Sequence, residues 1–319
     1  MAVLNVMRAW LACLLLCLAG CAPSFDRAMP DQLVPPTIQD EMLVTRDGSR
    51  LPLRRWDADG GPPKAVIVAL HGMGDYSNAF DMPGKFWARQ GITTIAYDQR
   101  GFGKSANPGV WAGAETMRDD LSDAVAAARQ RYPGVPVFAL GESMGGAVLL
   151  TALASATPPQ VDGAILSAPA VWSRADMPLT YRTALFLAAH LVPGMILSND
   201  AARRVVSIVP SDNVEMLRAL GRDPLFQRRT RTDTLYGLVN LMDEARTAPD
   251  HLQNPPPILF LAGVNDQVIP PRPTEGVISA LGNRATVKRY DKGYHMLLRD
   301  LQRELVHRDV AKWIFQRNK

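Results

Sequence analysis

The sequence predicts an α/β fold, with a mostly parallel sheet that carries helices on both of its faces. Apolar runs alternate with helical stretches between residues 64 and 169, and the alternation resumes near residue 257. The runs are rich in Val and Ile, which is typical of strands buried on both faces. Strands that alternate with helices pair in parallel, because each helix carries the chain back across the sheet.

A hairpin is predicted at 41–56, where two extended runs flank Asp47-Gly48, a dipeptide that favours tight turns. The predicted strands are apolar runs that follow in order, at 64–72, 91–98, 136–140, 163–169, 257–266 and 285–291. Helices are predicted at 115–131 and 301–316, each with one apolar stripe, and at 145–155, which is rich in small residues. In the first helix that stripe is Met117, Leu121, Val125 and Ala128, and in the last it is Leu301, Leu305, Val310, Trp313 and Ile314.

Regular alternation stops between residues 170 and 248. Prolines 178, 193, 210 and 224 divide this stretch into short helical pieces. We therefore predict a helical cap at 170–248, inserted between two parts of one core, 38–169 and 249–319. The apolar runs at 183–192 and 193–197 could line a channel for an acyl chain or could pack the cap onto the core.

The first twenty residues have the pattern of an export signal. Arg8 precedes an apolar run without charge, which is too short to cross a bilayer comfortably. The stretch Leu-Ala-Gly-Cys ending at Cys21 resembles the lipobox of bacterial lipoproteins, which implies cleavage before Cys21 and lipidation of that cysteine. An ordinary secretory signal or a short anchor is the alternative. The predicted signal is 1–20, and the proline-containing stretch 21–37 is predicted to be a tether.

Cysteine usage agrees with an exported lipoprotein. The chain has three cysteines, and all of them lie in the first 21 residues, so the mature protein would contain no disulfide. By resemblance to lipoproteins, the protein is expected in the bacterial cell envelope, held to a membrane through lipidated Cys21. Ala22, rather than Asp, after the cysteine favours the periplasmic face of the outer membrane.

Composition and motifs argue against several other functions. A formal net charge of +4 is mildly basic, and the basic stretch at 228–233 is interpreted as a solvated face, so no nucleic-acid partner is expected. Gly103-Lys104-Ser105 lacks the earlier glycine of a phosphate loop. No zinc-binding spacing is present, and neither a metal nor a cofactor is predicted. No feature of the sequence indicates an oligomeric state.

Ser143 is the candidate nucleophile. Gly141-Glu142-Ser143-Met144-Gly145 has the pattern G-x-S-x-G and lies between a predicted strand and a predicted helix. A sharp turn in this position pushes the serine above the edge of the sheet, and side chains in place of the two glycines would collide with the turn. The amino terminus of the following helix also favours negative charge.

A serine nucleophile needs a base, and the base needs a carboxylate that orients it. Of five histidines, His295 lies in a loop after the last predicted strand, where it could reach over the sheet edge. Asp266 directly follows a buried strand and lies between Ser143 and His295 in the chain, which is the order typical of this motif. Asp291 is the competing carboxylate. The sequence therefore predicts a site of Ser143, Asp266 and His295.

Six blocks in order resemble α/β-hydrolases of the monoacylglycerol lipase and lysophospholipase type, the serine aminopeptidase S33-like hydrolases. The blocks are LHGMGDYS, YDQRGFGKS, GESMGG, LSAP, AGVNDQVIP and DKGYHMLL, within about residues 40–317. The resemblance implies that the backbone N–H groups of Met73 and Met144 form an oxyanion hole. Asp75-Tyr76 stands where the family usually has a Glu-His pair, and Glu142 stands where it usually has a histidine. These departures leave the serine mechanism intact, but the resemblance does not determine whether the headgroup is glycerol.

The expected function is therefore hydrolysis of a small carboxylic ester, with a lipid-like substrate such as a monoacylglycerol or lysophospholipid. The same side chains could instead serve a peptidase or a thioesterase, and acidic groups in the cap that bind a free amino terminus would favour a peptidase. Asp176, Asp200 and Asp212 are the acidic candidates there. A non-catalytic envelope lipoprotein is the third alternative, which the intact set of Ser143, Asp266 and His295 disfavours.

Overall fold

A nine-stranded sheet forms the centre of the computed structural model, which describes Pro23, residues 33–198 and residues 208–317. The nine strands of this sheet are β1 Thr37–Gln39, β2 Met42–Val44, β3 Arg50–Trp56, β4 Ala65–Leu70, β5 Ile92–Tyr97, β6 Val137–Glu142, β7 Gly163–Ser167, β10 Ile258–Gly263 and β11 Ala285–Tyr290. Two further strands, β8 Ile196–Ser198 and β9 Arg229–Arg231, lie outside it. The order in the sheet is β1-β2-β3-β5-β4-β6-β7-β10-β11. In this spatial order, the pairs β1-β2, β2-β3 and β3-β5 are antiparallel, and every later pair is parallel. This pairing confirms the predicted hairpin and the predicted parallel sheet.

Helices cover both faces of the sheet. They are α1 Asp81–Ala88, α2 Ala114–Arg131, α3 Met144–Leu153, α4 Leu179–Leu191, α5 Val214–Arg222, α6 Thr232–Thr247, α7 Pro271–Leu281 and α8 Arg303–Arg317. Short 3-10 turns lie at Ser77–Phe80, Arg174–Asp176, Ala248–His251 and Gly282–Arg284. The fold class predicted from the sequence is confirmed.

Alternation along the buried strands divides the core into two clusters. In β4, Val66, Val68 and Leu70 belong to one cluster, and Ala65, Ile67 and Ala69 belong to the other. Successive side chains of a strand point to opposite faces, so both faces of β4 are covered. Helices α2, α3, α6 and α7 supply the first cluster, whereas α1 and α8 supply the second. All four predicted stripe residues of α2 are buried.

Only part of the apolar stripe predicted for the last helix is buried. Val310, Trp313 and Ile314 are buried, but Leu301 is 65% exposed and Leu305 is 44% exposed. Helix α8 begins at Arg303, so Leu301 lies before it. Val306 is buried four residues before Val310, and Leu305 is therefore one position away from the buried face.

The segment predicted as a cap contains α4, β8, α5, β9 and α6. Strands β8 and β9 pair antiparallel, a small sheet that the sequence did not predict. Helix α6 contributes Val239, Leu241 and Met242 to the core, so the end of this segment is part of the main packing. The boundaries of the cap stay a prediction.

The amino-terminal predictions fall mostly where the structure describes nothing. The predicted signal 1–20, Cys21 and all of the tether before residue 33 except Pro23 lie outside the described residues. In the part of the chain that is described, no helix has the length and apolar character needed to span a bilayer.

A buried arginine joins the amino-terminal hairpin to helix α2. The guanidinium of Arg100 lies 2.8 Å from Asp47, in the hairpin turn, and 2.7 Å from Asp120, on α2. All three side chains are at most 10% exposed. Arg100 therefore pairs two carboxylates in the interior, where an unpaired charge would be costly.

Candidate active site

Ser143 lies in the sharp turn between β6 and α3. Its backbone has φ +54° and ψ −114°, a conformation that residues with a side chain rarely adopt. A Cβ atom on Gly141 would collide with the carbonyl of Gly145, and a Cβ atom on Gly145 would collide with the carbonyl of Leu70. Both glycines are therefore required by close packing. Gly141 packs within the turn, as the sequence predicted, whereas Gly145 packs against the end of strand β4.

Neighbouring backbone groups hold the strained turn in place. The N–H of Ser143 donates to the carbonyl of Ser167 at 3.0 Å, at the end of the adjacent strand β7. The carbonyl of Ser143 accepts from the N–H groups of Ala147 at 3.1 Å and Ala170 at 2.9 Å. Strain at a single residue persists when its surroundings fix it in this way.

The three predicted side chains meet at the carboxyl edge of the sheet. His295 Nε2 lies 2.9 Å from Ser143 Oγ, and His295 Nδ1 lies 2.8 Å from Asp266 Oδ2. The second oxygen, Asp266 Oδ1, accepts from the backbone N–H groups of Val268 at 2.8 Å and Ile269 at 3.0 Å. In this arrangement the imidazole can take a proton from the serine hydroxyl while the carboxylate orients the ring.

The structure distinguishes the predicted carboxylate, Asp266, from its competitor, Asp291. Asp266 follows β10 and contacts the imidazole, whereas Asp291 follows β11 and is exposed. The backbone carbonyl of Asp291 accepts a hydrogen bond from the side chain of Asn265 at 2.9 Å. Asp266 is therefore the partner of His295.

The charge state of His295 depends on two opposing effects. The side chain is buried, and burial lowers the pKa of an imidazole because it penalises the charged form. The charge and hydrogen bond of Asp266, together with the charges of Glu142 and Asp300, outweigh this effect and raise the pKa of His295 above its ordinary value. The site therefore stabilises the imidazolium that forms when His295 accepts a proton.

Met73 and Met144 belong to the two turns that meet at Ser143. Met73 is in the turn after β4, where the N–H of Asp75 donates to the carbonyl of Gly72 at 3.2 Å. Gly72 packs against Ser143, since a Cβ atom on Gly72 would lie 3.2 Å from the Cβ of Ser143. Met144 is the first residue of α3. Among the described residues, no acceptor in the protein bonds the N–H of either methionine.

His71 orders the turn that carries Met73. Its Nδ1 donates to the carbonyl of Gly72 at 2.9 Å, and its Nε2 accepts from the N–H of Gln99 at 3.0 Å. These bonds require a neutral ring, and burial lowers the pKa of His71 in agreement with this. His307 is likewise buried and neutral, because burial lowers its pKa to about 4.

The predicted cap contacts two of the loops that surround the site. Ser211 Oγ donates to Asp300 Oδ1 at 2.6 Å, and the carbonyl of Pro210 accepts from the N–H of Met296, next to His295, at 3.0 Å. At the other end of α5, the N–H of Gln227 donates to the carbonyl of Gly74 at 2.7 Å. These contacts were not predicted, because they join residues far apart in the chain. Two of the three also involve only backbone groups, which every residue has.

The motif order and the fold agree with a known family. The family model described as serine aminopeptidase, S33, matches residues 61–302, which is most of the chain and includes the whole site. The chain belongs to this family. The predicted α/β-hydrolase fold and the predicted hydrolytic activity are thereby confirmed.

Several curated relatives of this S33 family member are named as lipases. The chain is 29% identical over 281 residues to a monoglyceride lipase of Rattus norvegicus, an alignment that covers 86% of this chain and 90% of the relative. It is 24% identical over 287 residues to a monoacylglycerol lipase of Mycolicibacterium smegmatis, covering 88% and 99%. These relatives place the chain among the carboxylic ester hydrolases, as the sequence predicted.

A solved structure shares the fold at lower identity. The monoacylglycerol lipase of Paleococcus ferrophilus superposes with a TM-score of 0.67 at 22% identity, covering 84% of this chain and 99% of the other. The central sheet and its helices are therefore those of an α/β-hydrolase.

Proposed function

We propose that this protein is a serine hydrolase that cleaves lipid-like carboxylic esters through Ser143, His295 and Asp266. The observation that carries the proposal is the continuous hydrogen-bonded series from Ser143 Oγ through His295 to Asp266. It lies in a chain of a hydrolase family whose curated relatives are named as monoglyceride and monoacylglycerol lipases. Geometry and relatives support the same chemistry independently.

The proposed mechanism is acyl transfer to water. His295 takes the proton from Ser143 Oγ as that oxygen attacks the ester carbonyl, and Asp266 holds the imidazole in orientation. The N–H groups of Met73 and Met144 donate to the oxyanion, a role supported by their lack of another acceptor in the described part of the protein. His295 then protonates the leaving alcohol, and water cleaves the acyl-enzyme by the same route.

The surface of the cap supports an apolar substrate. In helix α4, Ala189 is buried and Leu185 packs on the core. The other large apolar side chains of that helix and of β8 are exposed, namely Leu179, Tyr181, Phe186, Leu187, Leu191, Ile196 and Leu197. Packing onto the core therefore accounts for few of these side chains, and contact with acyl chains explains why so many apolar groups face solvent.

Activity is expected to favour medium or long acyl chains over acetyl, because each buried methylene adds about 0.8 kcal/mol of favourable transfer free energy. The measurement is kcat/KM for p-nitrophenyl esters of two to sixteen carbons, with a monoacylglycerol and a lysophospholipid alongside. A kcat/KM that falls steadily from two carbons upward would contradict a lipid-like substrate.

A peptidase is the second candidate, because the family model carries the name of an aminopeptidase. An aminopeptidase needs carboxylates that are free to bind a substrate ammonium group. Asp176 already lies 3.6 Å from Arg246, and Asp212 accepts from the backbone N–H of Leu301 at 2.8 Å. Asp200 lies outside the described residues. Hydrolysis of aminoacyl p-nitroanilides that exceeds hydrolysis of every ester would favour the peptidase.

We also propose that Cys21 anchors the protein to a membrane of the bacterial cell envelope. The apolar run before Cys21 and the Leu-Ala-Gly-Cys stretch support this. Cells grown with labelled palmitate are expected to incorporate label into the wild type but not into Cys21→Ser, because that variant lacks the thiol that is acylated. Cys17→Ser is the matched control and should retain the label. Equal labelling of wild type and Cys21→Ser would contradict the anchor.

A further inference from the structure

Asp75, Glu142 and Arg299 form a cluster of buried charges next to the site, here called the Arg299 cluster. Arg299 Nη1 lies 2.7 Å from Asp75 Oδ2, and Arg299 Nη2 lies 3.1 Å from Glu142 Oε2. Asp75 and Glu142 are each 2% exposed, and Arg299 is 6% exposed. Charges are kept in the interior only when they are paired, so the three side chains depend on one another.

Each member of the cluster belongs to a different segment of the site. Asp75 is two residues after Met73, Glu142 directly precedes Ser143, and Arg299 is four residues after His295. The cluster therefore connects the turn of the proposed oxyanion donor, the turn of the nucleophile and the loop of the base.

Short-range bonds couple two of these segments, the Met73 turn and the His295 loop, to the cluster. Asp75 Oδ1 accepts from the N–H of Tyr76 at 2.9 Å, which fixes the carboxylate to its own turn. In the base loop, the N–H of Arg299 donates to the carbonyl of Met296 at 2.8 Å. A displacement of the guanidinium would therefore move the backbone on which Met73 and His295 lie.

We propose that Arg299 is a positioning residue, whose two-armed guanidinium sets the distances among the Met73 turn, Ser143 and His295. The proposal rests on the serine mechanism given above. None of the cluster residues bonds Ser143 Oγ or the imidazole, so the positioning role acts through the backbone. The charge of Glu142 also raises the pKa of His295, and Glu142→Gln separates the two effects because it removes that charge but keeps an oxygen that can accept from Arg299. A lysine could not substitute, because a single ammonium lacks the planar fork that reaches two carboxylates at once.

The charges of the cluster determine which variants can test it. Removing the arginine would leave two buried carboxylates without a cation, so the test uses Arg299→Lys, which keeps the positive charge. Glu142→Ala and Glu142→Gln leave Arg299 paired with Asp75, which is a balanced pair. Glu142→Gln also keeps an oxygen that can accept from the guanidinium. Arg100→Lys is the matched control, since Arg100 also bridges two buried carboxylates but does not join the segments of the site.

The experiment compares the full-length wild type with these four variants. The first measurement is the rate at which a fluorophosphonate labels Ser143, in which the serine oxygen bonds to phosphorus and fluoride leaves. The others are kcat and KM for p-nitrophenyl butyrate, and the melting temperature.

Arg299→Lys and Glu142→Ala are expected to lower the labelling rate and kcat by about tenfold to 100-fold, with KM nearly unchanged, because small displacements of reacting groups have effects of this size. Glu142→Gln should recover most of the rate, and Arg100→Lys should lower only the melting temperature. Wild-type labelling rates in Arg299→Lys and Glu142→Ala would overturn the proposal. A wild type that is labelled but hydrolyses no ester would reject the ester function, and the labelling rates would still decide the role of Arg299.

Discussion

Ser143→Ala is expected to lower kcat for p-nitrophenyl esters by about 10⁶-fold, the size of effect seen when a serine hydrolase loses its nucleophile. The hydroxyl oxygen of Ser143 is the atom that would form the acyl-enzyme, and alanine offers no replacement. The measurement is the steady-state rate of p-nitrophenol release by purified wild type and variant. KM should change little, because the side chain that is removed is small and the acyl-binding surfaces are retained.

A second serine provides the control for this prediction. Ser122→Ala makes the same chemical change on α2, where the hydroxyl bonds the carbonyl of Arg118 at 3.1 Å and takes no part in the site. Its kcat should equal that of the wild type. The fluorophosphonate should label this control and should not label Ser143→Ala. Retention of ester hydrolysis in Ser143→Ala, with labelling at another residue, would show that the nucleophile lies elsewhere.

The parts of the molecule that the sequence predicts best are those determined by local patterns. Strand β4 is an uninterrupted apolar run because both of its faces are covered by helices. Ser143 was found because its turn requires glycine on both sides, which leaves a recognisable spacing. Asp266 and His295 were found because parallel strands place their carboxyl ends at one edge, and each residue follows such a strand.

The parts that the sequence does not predict depend on contacts between distant segments. Arg299 lies 157 positions from Glu142 along the chain, and nothing near Arg299 in the sequence indicates that partner. Leu301 is exposed because it lies before the start of α8, a boundary that apolar spacing alone leaves undetermined. Leu305 lies within α8 but one position away from the face that Val306 and Val310 bury. Strands β8 and β9 have three residues each, too few to produce a periodic pattern.

Asp266→Asn is expected to lower kcat by about 10⁴-fold while the protein remains folded, as happens when the carboxylate that orients a catalytic histidine is replaced by an amide. Asparagine has nearly the same shape, and its side-chain oxygen can still accept from the N–H groups of Val268 and Ile269. The negative charge is lost, so the imidazolium formed during the reaction is no longer stabilised. The measurement is kcat for a p-nitrophenyl ester, with the melting temperature as the check on folding.

The pH dependence of the same variant separates a charge effect from a general loss of structure. His295 must be neutral to act as a base, so kcat/KM should rise as the pH increases through the pKa of His295, which Asp266 raises above its ordinary value. Removing the carboxylate lowers that pKa, and the acidic limb of the profile should move to lower pH. Asp291→Asn is the matched control, since Asp291 is exposed beyond the end of β11, and it should leave both kcat and the profile unchanged. If Asp291→Asn moved the acidic limb and Asp266→Asn did not, the carboxylate that orients His295 in solution would be Asp291.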